Sequence, residues 1–384
     1  MKSVNKNLTW LTIIIIVASG IFLIAFTSHA ESNSVNENSG NNSGFDSASN
    51  DFPCEIGNSG TYKNLQVFFL SAQNHIIDKE YIPLSEAMDK KYITVFETEN
   101  VNQLAVENLS DQFVFICSGD IVKGGKQDRT IGKDILLSPK SGKIPLASFC
   151  VESGRWRQRG GETLEAFTSS NNALSSRDLK IAARKSKSQS EVWSNVSRQQ
   201  DKVNESMVKN YDYADTFDVR DENSETSLQL TLENKELQKI KRGYEDFLKS
   251  ISYDPTRTVG YVYAINGEVY GIDIFFNYKL FNDLWPKLRD AVIVEAISDD
   301  NDKEYKPVTK SDISTLISDF TNAKTETEKE EINSETTYIT TSTDHVIQFK
   351  TYDKREDNQL LHLNYITVDS SYMTEKTQQQ QFLR

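Results

Sequence analysis

Short apolar runs dominate the chain between residues 65 and 151. They are rich in β-branched and aromatic side chains and are separated by turn residues, which is the pattern of β-strands. Pro83–Met88 has instead the spacing of a short helix. We therefore predict a β-rich N-terminal half, with strands at Leu65–Leu70, Tyr92–Phe96, Leu104–Val106, Phe113–Ile116 and Ala147–Phe149.

Helical spacing of apolar residues begins further along the chain. Leu174–Val196 carries this spacing in places, and we predict one long or broken amphipathic helix there. The segment from Asp201 to Thr226 is acidic and poorly patterned. In Leu232–Ile251 the apolar residues recur every three or four positions behind Thr231, a residue type that caps helix N-termini, so a second helix is predicted.

The last third of the chain combines hairpins with helices. Strands on either side of Asn266–Gly267 are predicted to form a hairpin, because this dipeptide supplies the positive φ angles of a type I′ turn. An apolar stripe predicts a helix from Tyr278 to Ile297, kinked or restarted at Pro286. A shorter helix near Ile313–Phe320 should follow. Two final strands are predicted at Val346–Tyr352 and Leu360–Val368, the latter interrupted by Asn364 and Tyr365.

These elements together predict an α+β fold. The N-terminal half is β-rich, and the C-terminal half contains helices and antiparallel hairpins. The length allows one large domain or two tightly packed subdomains.

The N-terminus has the pattern of a secretory signal peptide. Lys2 and Lys6 precede an apolar run, Trp10–Phe26, and Ser28-His29-Ala30 supplies the small-x-small residues of a cleavage site. We therefore expect an extracytoplasmic protein, periplasmic or secreted. The alternative is an uncleaved anchor, because roughly 17 apolar residues nearly cross a ~30 Å hydrocarbon layer. Membrane contact is expected only through such an uncleaved segment.

The remaining chain is expected to have three parts after the signal peptide of residues 1–30. Residues 31–54 are rich in Asn, Ser and Gly and bury too little apolar surface to offset the entropy of ordering, so they should form a disordered spacer. Residues 55–372 should form the mixed α/β globular domain. The Gln-rich residues 373–384 should form a loose tail.

Charge is unevenly distributed along the sequence. The formal net charge is −13 overall, but residues 120–198 contain fifteen Lys or Arg against eight Asp or Glu. Such an acidic protein should not bind nucleic acid, although its basic segment could bind a small anionic ligand. The basic segment could equally be a solvated face that balances neighbouring acids.

Three cysteines, Cys54, Cys117 and Cys150, lie in what should be an oxidising compartment. An odd number leaves at least one of them unpaired. Cys117 and Cys150 both end apolar, strand-like runs, so two buried thiols are as consistent with the pattern as a disulfide. The spacing does not decide the pairing.

Common catalytic and cofactor signatures are missing from the sequence. The four histidines do not cluster with Cys or Glu at the spacing of a zinc site, and no G-x-S-x-G segment is present. The run from Gly119 to Lys126 resembles a phosphate loop, but its spacing is off by one and Gln127 replaces the metal-binding hydroxyl. We therefore expect no metal and no cofactor.

Two glycine-bearing turns carry the candidate functional residues. In the first, Lys126, Gln127 and Arg129 have groups that could hold a polar or anionic ligand. In the second, Arg155 could form forked contacts and Trp156 could provide a stacking surface, while Glu152 is a candidate general acid or base. The alternative is structural: Glu152 could pair with Arg129 or Arg155 and tie the two turns together.

Around these turns the chain resembles a known family. The likeness covers roughly Leu65 to Val368, and the resembled family is the ARG and rhodanese-phosphatase-superfamily-associated proteins, a domain of unknown function. Its motifs occur here in order at Tyr81–Met88, Val95–Glu97, Gly119–Arg129, Cys150–Trp156 and Leu280–Leu288. Asp128 departs from the Asn expected at its position, and an extra acid there would weaken an anion site.

What the resemblance implies about function is limited. The family's name records an association with ADP-ribosylglycohydrolases, which implies ADP-ribose or phosphorylated ligands. Three interpretations follow. The domain binds a small anionic molecule or a protein partner; or it is a hydrolase acting on a nucleotide- or sugar-phosphate-like substrate, with Glu152 as acid or base; or the turns only stabilise the fold.

Overall fold

A computed structural model describes residues 52–72, 76, 78–98, 100–154, 167–170, 175–301, 303–355 and 357–368. The predicted signal peptide, most of the predicted spacer and the predicted tail lie outside these ranges, as do Arg155 and Trp156. The description below concerns the single compact unit that begins at Asn50.

An antiparallel sheet of eight strands forms the largest layer. Its strands come from both ends of the domain, so the β-rich first half and the last third of the chain share one sheet. In spatial order they are β1 (Glu55–Tyr62), β2 (Leu65–Ser71), β12 (Thr258–Ile265), β13 (Glu268–Phe275), β17 (Gln359–Thr367), β16 (Val346–Asp353), β15 (Thr336–Ser342) and β14 (Glu326–Glu331).

Two smaller sheets contain the strands between residues 82 and 169. The six-stranded sheet is ordered β11 (Phe167–Ser169), β7 (Ile121–Gly124), β8 (Arg129–Ile131), β10 (Gly142–Cys150), β5 (Gln103–Asn108) and β4 (Ile93–Glu97). The three-stranded sheet is ordered β3 (Ile82–Pro83), β6 (Val114–Ile116) and β9 (Ile135–Leu137). Among these pairs only β3 and β6 run parallel.

Helices cover both faces of the large sheet. They are α1 (Leu84–Asp89), α2 (Arg177–Ile181) with a π-helical continuation (Ala182–Ser186), α3 (Gln189–Asn210), α4 (Leu228–Leu232), α5 (Lys235–Ser250), α6 (Tyr278–Ser298) and α7 (Lys310–Asn322). Tyr261 and Tyr263 of β12 pack in a core with α6, whereas Val262 packs in a second core with Ile313 and Ile317 of α7. Alternate residues of β12 thus face opposite layers.

Two thirds of the central helix α6 is buried, including every residue from Ala291 to Ser298, and Pro286 lies inside the helix. Asn277 begins this helix, since its side chain accepts a hydrogen bond from the Leu280 N–H at 2.8 Å. None of the helices in the described ranges is long and apolar enough to cross a membrane.

The α+β prediction is confirmed, and so is the hairpin at Asn266–Gly267. Both residues have positive φ, 52° and 79°, as a type I′ turn requires. A side chain at Gly267 would collide with the Lys306 carbonyl oxygen, because a Cβ there lies 2.5 Å from it. Glycine is therefore needed at this position for both its backbone angle and its size.

Two helix predictions are wrong in their boundaries. The segment after Asp201 was expected to lack pattern, but α3 continues to Asn210 because Val203 and Met207 are buried on the same helical face as Val196. The predicted cap Thr231 lies in the short helix α4. The next helix, α5, begins after Asn234, whose side chain accepts from two backbone N–H groups.

The strand predictions near the C-terminus are incomplete. Strand β17 is not interrupted at Asn364, because the side-chain amide of Asn364 is buried and donates to the Ile272 carbonyl at 3.1 Å. The strands β14 and β15 were missed. β14 is exposed along most of its length and so lacks an apolar pattern.

Candidate functional site

Three of the predicted site residues lie at one end of the β8–β10 strand pair, inside the six-stranded sheet. Cys150 stands opposite Arg129 in the β10–β8 pairing, and the Val151 N–H extends the ladder by donating to the Asp128 carbonyl at 3.0 Å. Side chains directly opposite or two residues away share a face. Gln127 and Arg129 therefore share a face with Cys150 and Glu152.

We call Glu97, Gln127, Arg129, Cys150 and Glu152 the Arg129 cluster. The Arg129 guanidinium donates to the Gln127 carbonyl at 3.0 Å and approaches a Glu97 carboxylate oxygen at 3.5 Å. Burial raises the pKa of the Cys150 thiol, the charge of Arg129 opposes this rise, and Glu97 and Glu152 add to it. These groups thus act on one another electrostatically.

Glu152 accepts a hydrogen bond from a residue outside the cluster. The Ser224 hydroxyl donates to its carboxylate at 2.5 Å, and the residue is fully buried. The ion pair that the structure describes for Arg129 is with Glu97, a residue the site prediction omitted. Lys126 is exposed, and its backbone N–H donates to Glu97 at 2.9 Å.

Two N–H donors in the cluster lack an acceptor within the described part of the protein. They are Gln127 Nε2 and Arg129 Nε, and both atoms are buried. A buried donor without an acceptor costs about 1–3 kcal/mol. The nearby Gln189 side chain, by contrast, has both its donor and its acceptor paired: its amide donates to and accepts from the Cys150 backbone at 2.8 Å.

We call His362, Asp134, Asp273 and Arg184 the His362 cluster, a second group of buried polar side chains. The two ring nitrogens of His362 are 2.6 Å from Asp134 and 2.5 Å from Asp273, and its ring stacks on Phe275. Both nitrogens must donate to carboxylates, so the ring is an imidazolium. Burial alone would lower the pKa of His362, but the two carboxylates raise it to about 9.

Arg184 completes the charge balance of the His362 cluster. Its guanidinium lies 3.6 Å from Asp134 and donates to the Asn364 side chain at 2.6 Å. Burial would raise the pKa of Asp134, but His362 and Arg184 hold it well below its usual range. Two cations therefore face two carboxylates, Asp134 and Asp273, in the protein interior.

Three residues of this region have metal-ligand chemistry. Cys117, Asp134 and His362 offer ligand atoms that lie within 4.8 Å of one another. The Asp134 oxygens already accept from the Ser118 N–H at 2.7 Å and from the Thr351 hydroxyl at 2.5 Å, and both nitrogens of His362 are engaged. The arrangement therefore fits a hydrogen-bonded network better than a metal site.

Two adjoining clefts lie beside this network, since Asp273 and Asn364 line the first, and Glu295 lines both of them. The first is also lined by Arg177, Lys180 and Tyr263, and the second by Arg198 and Lys202. Neither is lined by a residue of the Arg129 cluster. Burial raises the pKa of Glu295 to about 7, against the opposing effect of Arg177.

The sequence analysis missed both His362 and Glu295. Each is a charged residue inside an apolar element, since His362 follows Leu361 in β17 and Glu295 follows Val294 in α6. A charged residue within an apolar run could have indicated a buried charge. It does not identify the side chains that would surround that charge.

A comparison with family models bears out the resemblance found in the sequence. The model of the ARG and Rhodanese-Phosphatase-superfamily-associated Protein domain matches residues 53–366. The chain belongs to this family. No curated protein and no solved structure matches the chain significantly.

The family motifs are separate in the sequence, and the fold brings four of them into contact. Asp120 of the Gly119–Arg129 motif pairs with Lys287 of the Leu280–Leu288 motif at 2.8 Å. Arg129 stands opposite Cys150 of the Cys150–Trp156 motif in the sheet and forms an ion pair with Glu97 of the Val95–Glu97 motif at 3.5 Å. All three cysteines of the family member described here are free thiols.

Proposed function

We propose that this chain is an exported ligand-binding domain and that its ligand contacts Gln127 and Arg129. The observation that carries the proposal is the pair of buried N–H donors at these neighbouring side chains, neither of which has an acceptor among the described residues. A ligand oxygen placed there would accept from both and remove the cost of leaving them unpaired. The proposal that the chain is exported rests on the signal-peptide pattern of its N-terminus.

The charges of the Arg129 cluster restrict the chemistry of this ligand. Arg129 contributes one positive charge, whereas Glu97 and Glu152 are both carboxylic acids. A highly charged phosphate would be repelled by them. We therefore expect the ligand to present a neutral oxygen, such as a hydroxyl of a sugar, to Gln127 and Arg129, with any phosphate further away.

Thermal unfolding of the full chain in the presence of ADP-ribose, ribose 5-phosphate and ribose tests this proposal. The three probes share a sugar but differ in charge. A rise in Tm with at least one of them is expected, because ligand binding stabilises the folded state by mass action. The Gln127→Met variant should bind that probe about tenfold more weakly, which corresponds to ~1.4 kcal/mol for a lost hydrogen bond.

The same variant distinguishes a binding role from a structural one. Gln127→Met removes a donor without a described acceptor and one long contact, in which the Gln127 side-chain oxygen accepts from the Arg129 guanidinium at 3.5 Å. The unliganded protein should therefore be about as stable as before or more so. Gln189→Met is the matched control and should lower Tm, because it removes both hydrogen bonds to Cys150. If no probe raises Tm and Gln127→Met lowers it as much as Gln189→Met does, Gln127 is structural and the proposal fails.

A further inference from the structure

The cleft beside Glu295 contains two cationic side chains, Arg177 and Lys180, whose polar contacts in the described part of the chain are long or missing. The Arg177 guanidinium lies over the Tyr270 ring at 4.0 Å, and its polar contacts in the described structure are long: Asp178 at 3.4 Å, Thr367 at 3.5 Å and Glu295 at 3.7 Å. Hydrogen bonds from a guanidinium to a carboxylate are normally about 2.7–2.9 Å.

Lys180 lines the same cleft and has fewer polar contacts than Arg177. Within the described part of the chain its ammonium forms no hydrogen bond or ion pair, although it acts on the Cys117 thiol through space. Its side chain passes close to Gly119, where a Cβ would lie 2.9 Å from the Lys180 Cε. A partly exposed ammonium and a mostly buried guanidinium thus border one space.

The carboxylates that line the cleft do not pair with Lys180 in the described structure. Asp273 is engaged by the His362 imidazolium at 2.5 Å, and so it is not available to Lys180. Glu295 accepts from the Tyr263 hydroxyl at 3.1 Å and, with its pKa raised to about 7 by burial, is partly protonated near neutral pH. Arg177 is therefore balanced only by the long contacts to Asp178 and Glu295, and no carboxylate in the described part of the chain pairs with Lys180.

We propose that the cleft between Arg177, Lys180 and Glu295 binds a small oxyanion, either a carboxylate or a phosphate-like group, and that Glu295 takes up a proton when the anion binds. The central space is about 10 Å³, enough for about one water. One ligand oxygen fits inside, with the rest of the group at the rim, where Arg177 and Lys180 are partly exposed.

Proton uptake follows from the charges that face Glu295. From α2 these are Arg177 and Asp178, and from its own helix Asp299. Tyr263 and Tyr270 face it from the hairpin, and Lys202 and Arg198 lie across the adjoining cleft. An incoming anion adds negative charge beside the Glu295 carboxylate and therefore favours its protonated form. Binding should weaken as pH rises through about 7.

Sulfate is a suitable probe because it stays fully ionised across the relevant pH range. Its affinity for the full chain would be measured by calorimetry at constant ionic strength, at pH 6 and pH 8.5. We expect binding to be at least about tenfold weaker at the higher pH. Glu295→Gln mimics the protonated acid and should bind at pH 8.5 as tightly as the unmodified chain does at pH 6.

Two lysine variants separate this site from general attraction of anions. Lys180→Met should weaken sulfate binding about tenfold, which corresponds to ~1.4 kcal/mol. Lys324→Met removes an exposed lysine elsewhere and should leave the affinity unchanged. Equal affinity at the two pH values, or wild-type affinity in Lys180→Met, would overturn the proposal. Because Gln127 and Arg129 do not line the cleft, the sulfate measurements do not depend on the ligand proposed for them, and the two proposals fail independently.

Discussion

The ammonium of Lys287 lies 2.8 Å from a carboxylate oxygen of Asp120, and both side chains are buried. The contact joins helix α6 to the turn that precedes β7, two segments that are 167 residues apart. Asp120 also accepts from the Cys117 N–H at 3.2 Å, so the carboxylate has a second anchor. The ion pair therefore fixes the position of the Gly119–Arg129 motif on the central helix.

Removing one member of this pair should be more harmful than removing both. Lys287→Met leaves Asp120 as a buried charge without its cation, which should cost about 3–5 kcal/mol of unfolding free energy. The double variant Lys287→Met with Asp120→Asn should recover much of that loss. Urea unfolding of the two single variants and the double variant measures the coupling between the side chains.

The exposed pair Lys90–Glu86 is the control for this experiment. Lys90→Met removes the same ammonium from an i,i+4 pair on the helix surface, where solvent screens the interaction. It should change stability far less than Lys287→Met does. Additive effects of the Lys287 and Asp120 substitutions would contradict the assigned ion pair.

The His362 cluster predicts a loss of stability at alkaline pH. The pKa of His362 is about 9 in the folded protein, above the ordinary value of 6.5. The folded state therefore holds the proton more tightly than the unfolded state. The resulting stability is fully present below pH 6.5 and is lost as pH rises through 9. Between pH 7.5 and 9.5 the unfolding free energy should fall by about 2 kcal/mol.

Urea unfolding at these two pH values checks this expectation. The range starts at 7.5 so that titration of Glu295, near pH 7, contributes little. His362→Gln should flatten the dependence on pH, because glutamine does not titrate. His345 is exposed, so His345→Gln should retain the fall in stability. A His362→Gln protein that loses stability over this range as steeply as the unmodified chain would show that another group is responsible.

Local chemistry explains which elements the sequence predicted well. The hairpin at Asn266–Gly267 needs only its own two residues to define the turn, and an apolar stripe defines α6 without knowledge of its neighbours. The errors fall where distant contacts decide. Helix α3 extends past Asp201 because Met207 finds a core position, and the surrounding polar sequence gives little sign of this.

The candidate site was predictable in part for the same reason. Glu152 follows the predicted strand Ala147–Phe149, and Gln127 and Arg129 stood out as polar residues of a glycine-bearing turn. The strands β7 and β8 beside them were not predicted, and it is the sheet register that brings the three residues to one face. Their partners come from elsewhere: Glu97 lies in β4, and Ser224 precedes α4. No spacing rule connects such residues. The charged centre at His362 depends likewise on side chains from four separate segments.

The proposed export of the chain predicts a specific mature N-terminus. A signal peptidase requires small residues at the first and third positions of Ser28-His29-Ala30 but tolerates varied residues between them. The mature protein should therefore begin at Glu31, which mass spectrometry of the extracytoplasmic fraction would detect.

Ala30→Leu should abolish cleavage and leave the protein attached to the membrane, because a bulky residue then occupies a position that must be small. His29→Leu makes the same chemical change at the tolerant position and should be processed normally. Recovery of an intact Met1 terminus from the unmodified chain would favour the uncleaved anchor instead.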